Sequence, residues 1–311
     1  MINKVEKDFG EGSVFSFETG RLAKEAGGSV IVRLGDTMVM ATTVSSDTPR
    51  PGIDFFPLLV DFEEKLYAVG RIPGGFFKRE GKPTETAILT ARRIDRPIRP
   101  LFPKGYRNDV QIVITPLSVD EDNPPDILAI NGASAALAVS DIPFDNLIGA
   151  ARVGRIDGKF IVDPTVSEMA ESDMDLVVAG TKDAIMMIEC GSKEVSEAEV
   201  SKAIKEAHNR IKDVIKLQEE LAKQAGKKKK EVKLYKPDET IEKFVKDKAE
   251  KKIIAAADIS QKDKRMAALD VIKEELAQAI KDGKDEELKK LVDSRPADIK
   301  NIINDIEKKN V

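Results

Sequence analysis

Residues 71–107 read RIPGGFFKREGKPTETAILTARRIDRPIRPLFPKGYR. From Lys78 to Arg107 this stretch holds nine cations: Lys78, Arg79, Lys82, Arg92, Arg93, Arg96, Arg99, Lys104 and Arg107. Three acids, Glu80, Glu85 and Asp95, lie among them. The whole chain carries a net charge of −4, so this basic island is local. Two adjacent rings, Phe76 and Phe77, follow a flexible Gly74-Gly75 pair. Single-stranded nucleic acid is gripped by cations that track its phosphates and by rings that stack on its bases. Pro83-Thr84-Glu85-Thr86 marks a helix start with an apolar-periodic segment behind it. Arg92, Arg96 and Arg99 are spaced by four and then three, one face of a continuing helix. Pro97 predicts that the helix ends or kinks near Arg96. A competing reading is scaffolding: Asp95 stands at helical pairing distance from Arg92 and Arg99, and paired phenylalanines commonly belong to a core.

Outward from this stretch, the chain changes character at residue 191. Of fifteen Phe and Tyr residues, only Tyr235 and Phe244 follow it. Before it, β-branched runs predict strands at 14–17, 29–34, 38–44, 58–67 and 110–119, with a turn at Gly35-Asp36. An Ala- and Gly-rich helix is expected over 126–139, then strands at 150–156, 159–162, 175–181 and 185–189. Ser196-Glu197-Ala198-Glu199 fits a capping box opening a long helix towards Gln224. Strands first and packed helices after define an α+β class. Lys227 to Lys230 are expected to form a solvated linker. Ile241, Phe244, Ile253, Ile254, Met266, Leu269, Ile272 and Leu276 then fit three or four amphipathic helices. The expected divisions are a mixed α+β domain at 1–225, a Lys-rich linker at 226–237 and an all-helical domain at 238–311.

Composition narrows the chemistry. One cysteine, Cys190, excludes an internal disulfide, and one histidine, His208, leaves no His/Cys zinc set. Cys190 ends the apolar run IMMIEC and is expected to be a buried packing residue. Neither a signal peptide nor a run of eighteen apolar residues is found. A soluble cytoplasmic protein is expected, with no membrane contact.

The runs FFKREGKPTE (76–85), ARRIDRPIRPLFPKGY (91–106), NPPDILAINGASAAL (123–137) and IPF (142–144) carry a resemblance. They are similar to the first RNase PH-like half of the bacterial polynucleotide phosphorylase family, the polyribonucleotide nucleotidyltransferases. The likeness is dense from Val5 to Ser192 and looser to the end. It implies an RNase PH-like split β-α-β fold followed by the all-helical domain that joins two such halves. It also implies phosphorolytic 3′-to-5′ RNA degradation releasing nucleoside diphosphates, with inorganic phosphate as co-substrate and Mg²⁺ as cofactor. Single-stranded RNA, a homotrimer and RNA-degradation machinery are the implied partners. The family's second RNase PH-like half is not in this sequence, so an N-terminal fragment is expected.

The resemblance places Phe76, Phe77, Lys78 and Arg79 on a loop lining a trimer's central channel. Lys82, Arg92, Arg93, Arg96 and Arg99 would surround the RNA path or support a neighbouring catalytic half. Lys78 stands where the family has arginine, which keeps charge but loses bidentate phosphate geometry. Catalysis reads as degenerate. Phosphorolysis needs a phosphate pocket and carboxylates for metal or proton. The family's active half has a serine-rich phosphate run; here it is Asn123-Pro124-Pro125-Asp126. Two prolines lack N–H donors, and Asp126 repels phosphate. Of the family's D-x5-D-x-D acids, Asp173 and Asp175 match, while Ser167 replaces the first. Asp120-Glu121-Asp122 is expected to be a solvated loop. Two other functions compete: a stand-alone RNA-binding and oligomerisation module, and a metal-dependent hydrolase using Glu168, Glu171, Asp173 and Asp175.

Overall fold

A computed structural model describes every residue except 11, 12, 145, 284 and 311. Its contacts divide the chain into two units, Met1–Leu234 and Tyr235–Val311.

In the first unit, β1 (Asn3–Asp8), β2 (Val14–Thr19), β3 (Gly28–Leu34) and β4 (Thr37–Ser45) form an antiparallel meander. Next come β5 (Leu58–Phe62), α1 (Glu85–Ile98) and β6 (Val110–Ser118). The six-stranded sheet runs β1-β2-β3-β4-β6-β5. Only the last pair is parallel, with Leu58 opposite Val110. Parallel neighbours need a crossover, and the basic stretch supplies it: β5, α1 and β6 are one β-α-β unit. The unit continues with α2 (Pro125–Val139), β7 (Gly149–Ile156), β8 (Lys159–Val162), α3 (Val166–Glu171), β9 (Met174–Gly180), β10 (Ile185–Ser192) and α4 (Glu197–Ala225). The second sheet is antiparallel, ordered β10-β9-β7-β8.

The core centres on α2. Every residue from Ile127 to Val139 is buried, the pattern of a helix enclosed on all sides. It touches β3, β4 and β6 of the first sheet, β7 of the second, and both α1 and α4. Gly132 makes the close approach possible: a Cβ there would lie 2.9 Å from Val32 Cγ2 and 3.2 Å from Ala41 Cβ. Its buried polar side chains are all spent. Asn131 donates to Ala150 O (3.0 Å) and accepts from Ala150 N (2.7 Å), as another strand would. Ser134 Oγ bonds Gln218 Oε1 at 2.7 Å and accepts from Ile148 N, while Gln218 Nε2 donates to Ile148 O.

The second unit holds α5 (Glu239–Ala257), α6 (Lys262–Asp282), α7 (Glu286–Ser294) and α8 (Ala297–Asn310) around an apolar core. The fold is α+β followed by helices, as the pattern predicts.

Several expectations change. Helix α1 runs through Pro97 to Ile98, and a 3-10 turn (Arg99–Leu101) extends it; Pro97 lies in the final turn, where only one helical hydrogen bond is lost. Cys190 is exposed: it lies in the last residues of β10, where Cys190, Gly191 and Ser192 are all exposed, whereas Met187 earlier in the strand is buried. Met266 is 46% exposed, not core. Three of the four lysines of the expected solvated linker, Lys227, Lys229 and Lys230, are docked by their ammonium groups. Lys229 Nζ donates to the Leu137, Ala138 and Ser140 carbonyls at the end of α2. Lys227 Nζ donates to Gly27 O, and Lys230 pairs with Asp47 and Asp141. Beyond them, Val232 and Leu234 still pack on the first core. Asp120 is likewise structural: its carboxylate accepts from the backbone of Asp36, Thr37, Asp122 and Asn123. Burial opposes its charge, but the Asn123, Asp36 and Asp122 hydrogen bonds outweigh that and hold the carboxyl below its usual range.

Candidate nucleic-acid interface

The loop between β5 and α1 carries the two rings. A left-handed backbone at Gly75 (φ +74°) and Lys78 (φ +50°) folds its tip, a geometry glycine adopts freely. Phe76 and Phe77 are 93% and 77% exposed. Their rings meet edge to face at 5.3 Å. They are not core residues. The loop's base is tied down: Glu80 Oε1 accepts from Leu66 N at 3.0 Å, and Thr84 Oγ1 donates to Glu64 Oε2 at 2.7 Å. Thr84 also caps α1, accepting from Ala87 N.

The cations fall into two groups. Among the described residues, Lys78, Arg79, Lys82 and Arg92 are exposed and have no carboxylate within pairing distance. Arg93, Arg96 and Arg99 are already engaged. Arg93 pairs with Asp126 (2.6 Å) and Glu189 (2.6 Å), and Arg96 pairs with the same Glu189. Arg99 binds Asp95 at 2.7 Å and donates to the Phe56 and Leu58 carbonyls. Partial burial opposes the Glu189 charge, but Arg93 and Arg96 more than compensate and hold its carboxyl below the usual range. To reach a phosphate, these three arginines would have to exchange a carboxylate for it.

The candidate catalytic positions are committed elsewhere. Pro124 and Pro125 open α2, with no side-chain cap at Pro124. Asp126 lies between Arg93 and Arg152. Asp173 pairs with Arg155 at 3.1 Å, and Asp175 with Arg152 at 2.9 Å. Ser167 bonds the Thr165 hydroxyl, while Glu168 and Thr165 form a capping box that starts α3. Ser196 caps α4 alone; Glu199 pairs with Lys202 instead. Among the described residues no three His, Cys, Asp or Glu side chains come together to hold a metal ion. Glu168, Glu171, Asp173 and Asp175 therefore do not assemble a three-donor site of the kind a hydrolase built on them would use, and Asp173 and Asp175 are spent on Arg155 and Arg152. The sequence pattern does not single out Arg152 or Glu189. They lie 26 residues from Asp126 and 96 from Arg93 along the chain, beyond any local spacing.

Comparison with known proteins follows this geometry. The 3′ exoribonuclease family model matches residues 14–143 with its domain 1 and 146–210 with its domain 2. The chain belongs to that family. Within it, the match is to the N-terminal portion of the polyribonucleotide nucleotidyltransferases, the polynucleotide phosphorylases. One from Heliobacterium modesticaldum is 54% identical over 86% of this chain, and one from Clostridioides difficile is 52% identical over 85%. The chain spans 38% of the length of each. Residues 240–311 match the model described as "Polyribonucleotide nucleotidyltransferase, RNA binding domain". Two solved structures share the fold. Rice (Oryza sativa) Rrp46 has a TM-score of 0.53 and 15% identity, over 71% of this chain and 94% of that one. A chain of an Archaeoglobus fulgidus exosome with RNA bound has a TM-score of 0.50 and 20% identity, over 70% and 87%. No described helix is long and apolar enough to cross a membrane.

Proposed function

We propose that this chain is the RNA-gripping N-terminal portion of a phosphorolytic 3′-to-5′ exoribonuclease that releases nucleoside diphosphates. The observation that carries it is the loop tip: two solvent-facing rings with Lys78 and Arg79 beside them, followed along the chain by Lys82 and Arg92, all four cations exposed and without carboxylate partners among the described residues. Two adjacent rings left exposed are costly on a monomer surface, and rings flanked by unpaired cations match what stacked bases and phosphates require. Phe76 and Phe77 stack on bases. Lys78, Arg79, Lys82 and Arg92 meet phosphates. Arg93, Arg96 and Arg99 hold α1 in place behind them. The helical residues 240–311, matched by a model named for RNA binding, bind RNA in their own right.

Bond breaking belongs to a second RNase PH-like half. Inorganic phosphate is the co-substrate there, and Mg²⁺ would supply charge neutralisation there; in this half Asp173 and Asp175 are paired with Arg155 and Arg152. The working assembly is a homotrimeric ring in the cytoplasm, open to RNA-degradation machinery.

The test uses this 311-residue chain with a single-stranded oligoribonucleotide and Mg²⁺, with and without phosphate. Salt-sensitive binding without nucleoside diphosphate release is expected. Absence of binding would overturn the RNA assignment. Phosphate-dependent release would overturn the assignment of catalysis to the other half. Binding carried by a lone monomer, rather than by a trimer, would instead favour a stand-alone binding module.

A further inference from the structure

We propose that Asp126 is a built-in anion that closes an oxyanion site formed by Arg93, Arg152 and the first turn of α2. The carboxylate takes donors on both oxygens. Oδ2 lies 2.6 Å from Arg93 Nη1 and 3.1 Å from Arg152 Nη2. Oδ1 lies 3.3 Å from Arg152 Nη1 and 2.9 Å from the N–H of Ile127. Two guanidiniums converging on one acceptor at a helix N-terminus is the donor set that binds phosphate or sulfate. Asp126, fixed to the same helix, occupies it.

The two arginines do not rely on Asp126 for their orientation. Arg93 Nε is held by Glu189 at 2.6 Å, and Arg152 Nε by Asp175 at 2.9 Å. Each guanidinium is therefore gripped on one edge and presents the other to Asp126. Their side chains are only 21% and 14% exposed, and Asp126 14%. The adjoining cavity, lined by Asn123, Pro124, Asp126 and Asp163, measures about 20 Å³, room for one water. A tetrahedral oxyanion cannot enter beside the carboxylate. Truncating it both clears the space and leaves three arginines, Arg93, Arg96 and Arg152, with two carboxylates, Glu189 and Asp175, a deficit of one counter-charge that a small anion repairs.

The proposal does not rest on RNA binding, since no RNA enters its test. Calorimetric titration with inorganic phosphate, at ionic strength held constant with sodium chloride, compares wild type with Asp126→Ala. Wild type is expected to show no saturable uptake. Asp126→Ala is expected to bind one phosphate in the millimolar range and to melt higher in phosphate than in chloride. Adding Arg152→Gln should weaken that binding about tenfold or more. A folded Asp126→Ala chain that takes up no phosphate would overturn the proposal. So would wild type binding phosphate as tightly through Arg152. If Asp126→Ala does not fold in chloride, refolding it and Asp126→Ser in phosphate decides: recovery by phosphate alone supports the built-in anion, and equal failure in both salts refutes it.

Discussion

Replacing Phe76 and Phe77 by alanine separates RNA contact from folding. Both rings project from a tip whose shape is set by the backbone at Gly75 and Lys78, and at 93% and 77% exposure they bury almost nothing. Stability should therefore stay within about 0.5 kcal/mol of wild type. Base stacking on a ring contributes about 1–3 kcal/mol, so one ring lost should weaken binding about 5- to 150-fold. The rings touch at 5.3 Å, so the two losses are coupled, and the double variant should fall short of the product of the singles. The assay is fluorescence anisotropy of a labelled single-stranded oligoribonucleotide at one fixed salt concentration, with urea unfolding beside it. Unchanged affinity in the double variant, with its fold intact, would show that the rings do not stack on RNA.

Changing Lys78, Arg79 and Lys82 together to Gln should lower the slope of log affinity against log salt by about 2, at about 0.7 per phosphate contact on a single strand; titrations across a salt series read it. Lys229→Met removes an ammonium shared by three carbonyls and should cost about 1–3 kcal/mol in urea unfolding, while Lys228→Met should cost less than about 0.5 kcal/mol. Asn131→Ala leaves the N–H and C=O of Ala150 without their partner and should cost about 2–5 kcal/mol by the same measurement. Glu189 has its carboxyl held below the ordinary value of 4.5. A depressed acid contributes stability above its unfolded value and loses it as pH falls through its folded one. Glu189→Gln should therefore be less stable than wild type near neutrality, and the gap should close below about pH 4.5; urea unfolding at both pH values measures it.

Periodicity made most elements legible. Ser29–Leu34, Met38–Val44 and the long run after Ser196 declare themselves because one face or the whole segment is apolar. Strand β1 escaped because NKVEKD buries only Val5 and is defined by pairing with β2. At the candidate site, charge and rings were visible, but pairing was not. Asp95 and Arg99, four residues apart, could be matched by eye. Glu189 reaches Arg93 and Arg96 only after both sheets have assembled, so nothing local distinguishes an engaged arginine from Arg92. The Lys227–Lys230 run reads as a linker for the same reason: its acceptors lie from 89 to 200 residues earlier. The helical residues 240–311 gave no basic patch at all, since Lys and Glu alternate through them.

The enclosed helix α2 also sets a schedule for biosynthesis. It leaves the ribosome well before its cover, since Val139 and the end of α4 at Ala225 are separated by 225 − 139 = 86 residues. At about 5–20 residues per second, translation leaves that greasy segment uncovered on one flank for about 4–17 s. Synonymous codons that slow synthesis between residues 140 and 225 should lengthen this window, raising chaperone demand and lowering soluble yield, with no change in the finished protein.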